Sequence, residues 1–137
     1  MNRPPLPGDV HIVNCLELDD PRSRELCRHL GTNPGISSLI IAHHLFKPKL
    51  LDIARHLKSN SRACVYFGCR KGKHRSVAML AITRFLVKSE LGVDADTEFA
   101  CSDTWNQFQR GCITGRCREC TKSPGNIAEA IRIWRSA

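Results

Sequence analysis

The order of apolar segments in this chain predicts a small α/β fold, a three-layer arrangement of a parallel sheet and flanking helices with a cysteine-rich appendage. Residues 10–16 and 63–67 are continuous runs of apolar and β-favouring residues, as in strands buried on both faces of a parallel sheet. Segments with helical spacing of apolar residues separate and follow these runs. Four cysteines after residue 100 predict that a metal ion holds the end of the chain.

The first part of the chain is predicted to contain one strand and three helices. Residues 1–8 include three prolines and form an irregular lead-in. After the strand, Asp20 precedes a proline, which is a common way to enter a helix, and Gly31 ends that helix at the C′ position. The helices are predicted over residues 22–30, 36–42 and 48–58. The last of them repeats apolar residues at helical spacing, namely Leu50, Ile53, Ala54 and Leu57.

The second part is predicted to contain the central strand, a long helix and a terminal helix. The long helix covers residues 74–90, with Gly92 near its end, and residues 97–101 form a short third strand. Residues 9–100 are thus assigned to the α/β domain, and residues 101–137 to a tail of the same compact unit. The residues expected to be buried are Val77, Leu80, Ala81 and Leu86 on the long helix, and Ile127, Ala130, Ile131 and Trp134 on the terminal helix over 126–135.

Composition and charge indicate a globular protein with an acidic partner. Hydrophobic residues make up 42% and charged residues 25% of the chain, as in globular domains. The net charge of +8 favours a nucleic acid, a phosphorylated metabolite or an anionic surface, although a basic protein without such a partner has the same composition. No stretch approaches the roughly twenty apolar residues of a membrane span, and the first residues lack the apolar region of a secretory signal. We therefore expect an intracellular, cytoplasmic protein without a membrane partner.

The connection between the central strand and the long helix carries the clearest functional signal. It contains one cysteine and four positive charges within seven residues. A strand that turns through such a loop into a helix aims backbone N–H groups and the positive end of the helix at one point. Ligands of parallel sheets bind beyond the carboxyl ends of the strands, so this loop is predicted to bind an anion, above all phosphate. The alternative interpretation is a basic surface turn around a buried cysteine. The predicted ligand-binding residues are Gly68, Cys69, Arg70, Lys71, Gly72, Lys73, His74, Arg75 and Ser76.

The spacing from Cys69 to Arg75 is also that of cysteine-dependent phosphatases. In that chemistry Cys69 attacks phosphorus, Arg75 holds the phosphoryl oxygens and Ser76 assists the thiolate. Such an enzyme also needs a carboxylic acid for the leaving group, and Gly68 stands where phosphatases typically carry histidine. The candidate acids are Asp20, Asp52 and Asp103. A phosphatase is therefore the alternative to a non-catalytic binding domain.

The same loop resembles the signature of the RapZ C-terminal domain family, G-C-T-G-G-x-H-R-S-V. The match is specific over residues 67–77, and looser similarity extends over residues 9–91. The best-known members of the family are bacterial RNase adaptor proteins that sense an amino-sugar phosphate and bind small RNA. The resemblance implies phosphate-binding roles for the residues that match the signature, namely Gly68, Cys69, Gly72, His74, Arg75 and Ser76.

The chain departs from that family at four positions, two in the loop and two on the first strand. Arg70 and Lys71 replace a Thr-Gly pair, while Asn14 and Leu16 stand where the family has Asp and Arg on the first strand. Either the ligand differs or the two extra cations compensate. The predicted function is binding of a phosphosugar or a nucleotide, with a regulatory or RNA-linked role as its extension. An RNA-binding accessory module that uses the general basic charge is a further alternative.

The tail cysteines have a spacing that suits a structural zinc ion. Cys101, Cys112, Cys117 and Cys120 form the pattern C-x10-C-x4-C-x2-C, which ends in a C-x-x-C knuckle. Four thiolates close a tetrahedral Zn²⁺ site and leave no open position for catalysis. The alternatives are disulfides in an exported protein, a C-x-x-C redox pair, or free buried thiols. Such a zinc ion would clamp the tail onto the sheet.

Overall fold

A computed structural model of the chain describes residues 10–18, 31–59, 63–68, 74–97, 118, 120 and 122–137. Helices and a parallel pair of strands alternate along these residues, which agrees with the predicted α/β class. The predicted helix over residues 22–30 and most of the predicted third strand lie outside them, and Thr97 is not in a strand. The elements are β1 (Val10–Asn14), a 3₁₀ turn (Cys15–Glu17), α1 (Pro34–Ala42), α2 (Phe46–Ser59), β2 (Cys64–Gly68), α3 (Arg75–Leu91) and α4 (Ile127–Ser136).

The two strands pair in parallel, with Val10 beside Cys64 and Asn14 beside Gly68. β1 ends two residues earlier than predicted, because the Asn14 side chain accepts a hydrogen bond from Leu16 N at 3.0 Å and thereby starts the 3₁₀ turn. β2 is shifted by one residue from the predicted 63–67. Since the strands are parallel and end at paired residues, the turn after β1 and the loop after β2 leave the sheet at one edge.

The core lies on one side of this sheet. Val13 is 3% exposed and belongs to one cluster with buried residues of all four helices, and Val65 and Phe67 pack against that cluster. Ile12, which points to the other face, is 65% exposed. The described residues thus form a sheet layer and a helix layer, and the third predicted layer is not among them.

Two helices begin earlier than their sequence pattern indicated. α1 begins at Pro34 because Asn33 Oδ1 accepts from Gly35 N at 2.9 Å and caps the helix. α2 begins at Phe46, so that Pro48 lies in its first turn, where an N–H would have no helical partner. None of the helices in the described ranges is long and apolar enough to cross a membrane.

α3 is buried around most of its circumference. It spans Arg75–Leu91 and ends at Gly92, whose φ of 68° is the left-handed conformation of a helix C-cap, as predicted within one residue. The predicted burial of Val77 and Leu86 is confirmed, whereas Leu80 and Ala81 are only half-buried. The reason is that α1, α4 and β2 all pack against this helix, so its buried residues do not follow a single stripe. The buried residues of α3 are Ser76, Val77, Ala78, Met79, Ile82, Thr83, Leu86 and Val87.

α4 closes the core at the end of the chain. Ala130, Ile133 and Trp134 are at most 2% exposed, while the predicted Ile127 and Ile131 are partly buried against the same core. Lys58 Nζ on α2 donates to Trp134 O at 2.9 Å and to Ala137 O at 3.3 Å. A cation at these carbonyls stabilises the C-terminus of α4.

Candidate anion-binding site

The predicted anion loop joins the end of β2 to the start of α3, at the carboxyl edge of the sheet. Gly68 is the last residue of β2, and Arg75 is the first residue of α3. Ser76 is 7% exposed, while Gly68, His74 and Arg75 are half-buried. These four predicted site residues therefore flank one loop at one edge. The other five, Cys69, Arg70, Lys71, Gly72 and Lys73, lie outside the described residues.

Arg75 joins the start of α3 to the turn that follows β1. Its Nη1 donates to Leu16 O at 3.1 Å and to Leu18 O at 3.3 Å. A guanidinium carries five N–H donors in one rigid plane, so two acceptors at one nitrogen restrict the orientation of the whole group. Arg75 is therefore held beside the carboxyl ends of both strands.

The 3₁₀ turn after β1 is held by two helices. Lys49 Nζ on α2 donates to Glu17 Oε1 at 3.0 Å, while Arg75 on α3 binds the backbone carbonyls of the same turn. Cys15 within the turn is fully buried. Asn14 and Leu16, the positions that differ from the RapZ family, thus contribute to the geometry of the turn: one caps it and the other accepts from Arg75.

Gly31 lies against the first turn of α3. A Cβ atom added at Gly31 would be 2.1 Å from His74 O and 2.4 Å from Ala78 N. These two backbone atoms form the first hydrogen bond of the helix, at 2.8 Å. The sequence predicts Gly31 only as a helix end. The structure shows in addition that Gly31 allows the chain to pass close to the N-terminus of α3.

The contacts of Arg75 and Gly31 are the functional features that sequence reasoning missed. Both involve backbone atoms of partners at least 43 residues away in the chain. Backbone carbonyls carry no residue-type signal, so no motif marks these pairs. Gly31 itself gives a weak signal, since a glycine is needed wherever two backbones approach closely.

One carboxylate considered for a phosphatase lies within the described residues. Asp52 is exposed on α2 and its Oδ1 is 3.7 Å from Arg55 Nη1. Its ion-pair partner is thus on its own helix and not at the flanks of the loop. Asp20, Asp103 and the candidate nucleophile Cys69 lie outside those residues, so the catalytic alternative stays a prediction.

Cys120 is the predicted zinc ligand that the structure describes. It is 5% exposed, and Asn33 Nδ2 donates to its Sγ at 3.6 Å. A second contact runs from Gly125 N to Ser37 Oγ, at 2.7 Å, so the tail is attached to the start of α1. Within the described ranges, no group of three or more His, Cys, Asp or Glu side chains could hold a metal ion. The other three predicted ligands, Cys101, Cys112 and Cys117, lie outside these ranges.

Several cations on the helix surface pair with carboxylates. Lys88 Nζ is 3.0 Å from Asp94 Oδ2, and Arg132 binds Glu129 on α4. Arg135 Nε is 2.5 Å from Glu90 Oε1, and this hydrogen bond holds the pKa of Glu90 below its usual range. The surface around these helices thus carries less unbalanced positive charge than the net charge of +8 suggests.

No protein-family model matches this chain, and no curated protein or solved structure matches it. The resemblance of the loop to the RapZ C-terminal domain family therefore stays a prediction. Function has to be inferred from the residues at the carboxyl edge and from their contacts.

Proposed function

We propose that this chain binds a phosphorylated small molecule, a phosphosugar or a nucleotide, at the loop between β2 and α3. The observation that carries the proposal is the position of Arg75. Its Nη1 lies 3.1 Å from Leu16 O at the carboxyl edge of the sheet, and the residue opens a helix of 17 residues. A cation in a restricted orientation beside a helix N-terminus is well suited to a phosphate group.

The electrostatics of the edge favour a multiply charged anion. A helix N-terminus stabilises a nearby negative charge by about 0.3–1 kcal/mol at exposed sites. The planar fork of an arginine can bind two phosphate oxygens at once, which adds geometric selectivity. Arg70, Lys71 and Lys73 add three positive charges to the connection. Each of these contributions grows with the charge of the ligand, so phosphate monoesters are favoured over monovalent anions.

A localised anion site explains the charge better than a general basic surface does. The ion pairs on α3 and α4 balance cations far from the loop, whereas the residues from Arg70 to Arg75 include four cations and no carboxylate. The resemblance to the RapZ C-terminal domain family points in the same direction, towards a small phosphorylated ligand. A regulatory or RNA-linked role would be a consequence of that binding.

Ligand-dependent thermal unfolding tests the proposal. We expect inorganic phosphate, an amino-sugar phosphate or a nucleoside monophosphate to raise Tm, by about 5 °C at ten times the Kd, which corresponds to about 1.4 kcal/mol. Arg75→Ala should remove the ligand-dependent shift. Arg84→Ala is the matched control, because Arg84 lies on the exposed side of the same helix and its Nη1 contacts Thr97 Oγ1 at 3.4 Å.

Three further outcomes separate the competing functions. Turnover of an aryl phosphate that vanishes in Cys69→Ser would identify a phosphatase instead of a binding domain. RNA affinity that falls steeply with salt and persists in Arg75→Ala would identify an RNA-binding module. An unchanged Tm with all phosphorylated probes at millimolar concentration contradicts the proposal.

We also propose a structural zinc ion in the tail, with Cys101, Cys112, Cys117 and Cys120 as its ligands. The N–H···S contact from Asn33 to Cys120 supports it, since such donors orient and stabilise metal-bound thiolates. The ion would supply folding stability and no catalysis. Metal analysis of the purified protein should find about one zinc per chain. Less than about half an equivalent, or an unchanged content in Cys120→Ser, contradicts this.

A further inference from the structure

Two histidines from different elements face each other between β1 and α2. The ring centroids of His11 on β1 and His56 on α2 are 5.5 Å apart, and the ring planes are tilted by 33°. Both residues are half-buried. His11 lies on the same side of its strand as the buried Val13, because side chains alternate along a strand. The pair therefore lies on the helix side of the sheet, near the amino end of β1 and away from the carboxyl edge.

The backbones that carry these two rings are held by the core. Ile53 and Ala54, within three residues of His56 on α2, are fully buried. A second contact, from Lys49 Nζ to Glu17 Oε1, joins α2 to the turn after β1 about two helical turns further along α2. The two imidazoles are thus brought together by the packing of the fold itself. A ligand that bridges them orders little new structure, which favours binding.

The separation of the rings suits two ligands of one metal ion. A Zn–N bond of about 2.1 Å, with about 1.1 Å from the nitrogen to the ring centre, places each ring centroid about 3.2 Å from the ion. Two such ligands at the tetrahedral angle have centroids about 5.2 Å apart. The observed separation is 5.5 Å, and rotation of the side chains can supply so small a difference.

The charged groups on this part of α2 are compatible with a cation at the pair. Arg55 Nη1 is 3.7 Å from Asp52 Oδ1, and Lys58 Nζ donates to Trp134 O at the end of α4. Asp52 precedes His56 by one helical turn, so its carboxylate lies on the same side of α2. The neighbouring cations thus have partners that an ion at the histidines does not displace.

We propose that His11 and His56 bind a divalent transition-metal ion of the class that prefers imidazole, namely Zn²⁺, Ni²⁺ or Cu²⁺. A neutral imidazole offers one nitrogen lone pair, so the pair supplies two ligands. Resident zinc sites have three or four protein ligands; an ion at this pair keeps water at its other positions and exchanges with solution. Bound there, the ion links β1 to α2. This site is separate from the proposed phosphate loop and from the proposed zinc ion of the tail.

Titration of the purified, tag-free protein with Ni²⁺ in phosphate-free buffer tests the proposal. Calorimetry should show one Ni²⁺ bound per chain, and Ni²⁺ at ten times the Kd should raise Tm by about 5 °C. His11→Ala and His56→Ala should each weaken binding by at least about tenfold, because the loss of even an outer-shell partner of a metal ligand costs that much. His44→Ala is the matched control, since His44 is exposed and its ring stacks on His43 instead.

Imidazole NMR signals of the wild type give a readout that does not depend on the stability of the variants. Ni²⁺ is paramagnetic, so a substoichiometric amount should broaden the ring signals of His11 and His56 first. Unchanged Ni²⁺ affinity in both His11→Ala and His56→Ala overturns the proposal. So does broadening confined to the other histidines, or a loss of binding in His44→Ala alone. A thiolate-to-nickel absorption band as the only spectral change overturns it too, since it places the ion at cysteines. The phosphate-dependent shift in Tm should persist in His11→Ala, so failure of the metal site leaves the proposed phosphate binding standing.

Discussion

Replacing Gly31 with alanine should disrupt the N-terminus of α3 and with it the proposed anion site. The added Cβ would lie 2.1 Å from His74 O, 2.4 Å from Ala78 N and 2.9 Å from Val77 Cβ. Ordinary van der Waals contact for such a carbon begins near 3.4 Å. Two of the three neighbours are backbone atoms, which cannot rotate away as the end of a side chain can. The first turn of α3 or the segment that carries Gly31 must therefore move by about 1 Å.

The expected cost follows from this overlap. Overpacking a close-packed site costs typically about 1–3 kcal/mol, and a clash with two backbone atoms belongs at the upper end of that range. For a chain of 137 residues, about 3 kcal/mol corresponds to a fall in Tm of about 10 °C. The measurement is thermal unfolding of Gly31→Ala and of the wild type, each with and without inorganic phosphate. We expect the variant to lose both stability and the phosphate-dependent shift.

Gly92→Ala is the matched control at the other end of the same helix. Gly92 has a φ of 68° and no atom within 4 Å of an added Cβ, so the change introduces only the strain of a left-handed residue, about 1–2 kcal/mol. It should lower Tm without changing the shift that phosphate produces. A Gly31→Ala variant within about 2 °C of the wild-type Tm would refute the reasoning from backbone overlap.

Three further predictions concern a helix cap, a helix C-terminus and an ion pair elsewhere in the fold. Asn33→Ala should lower the free energy of unfolding in urea by about 1–2 kcal/mol, because it removes the cap of α1 and the donor to Cys120. Asn33→Asp keeps the cap and should lower it by less. Lys58→Met should lower stability by about 1 kcal/mol in the same assay, since it keeps the apolar stem but loses the bonds to Trp134 O and Ala137 O. Glu90→Gln should lower the free energy of unfolding near neutral pH and leave it unchanged in strong acid. The hydrogen bond from Arg135 lowers the pKa of Glu90. The ionised Glu90 therefore stabilises the fold above the ordinary carboxyl pKa, and this contribution disappears as the pH falls through the lowered pKa. Equal urea midpoints of Glu90→Gln and wild type at about pH 7, or a difference that persists at about pH 2, would contradict this.

Arg75 has a structural role in addition to the proposed role in binding. The sequence motif treats it as a phosphate ligand, whereas the structure also makes it the link between α3 and the turn after β1. Its orientation is therefore set before a ligand arrives, which reduces the entropy that binding must overcome. For the same reason we expect Arg75→Ala to affect stability as well as the proposed binding, so each variant must be compared with its own ligand-free state.

The sequence by itself determined the local elements of this protein. β1, β2 and the helices α1 to α4 lie where periodicity and residue type predict them, with boundaries that differ by at most two residues. These features are local: Asn33 caps the helix that follows it, and Gly92 adopts the left-handed conformation that ends α3. The same local signals predict an anion site at the connection from β2 to α3.

Only the tertiary structure decided which surfaces these elements share. Packing on several sides buries Met79 and Ile82 of α3 and leaves the predicted Leu80 and Ala81 half-exposed. The close approach of Gly31 to His74 O and the bonds of Arg75 to two carbonyls join segments far apart in the chain. Backbone atoms are chemically alike at every residue, so their pairing depends on how the helices pack and not on residue type. Residue types and their spacing therefore predicted where in the sequence the loop lies. The packing of α3 determined which backbone atoms Arg75 and Gly31 contact beside it.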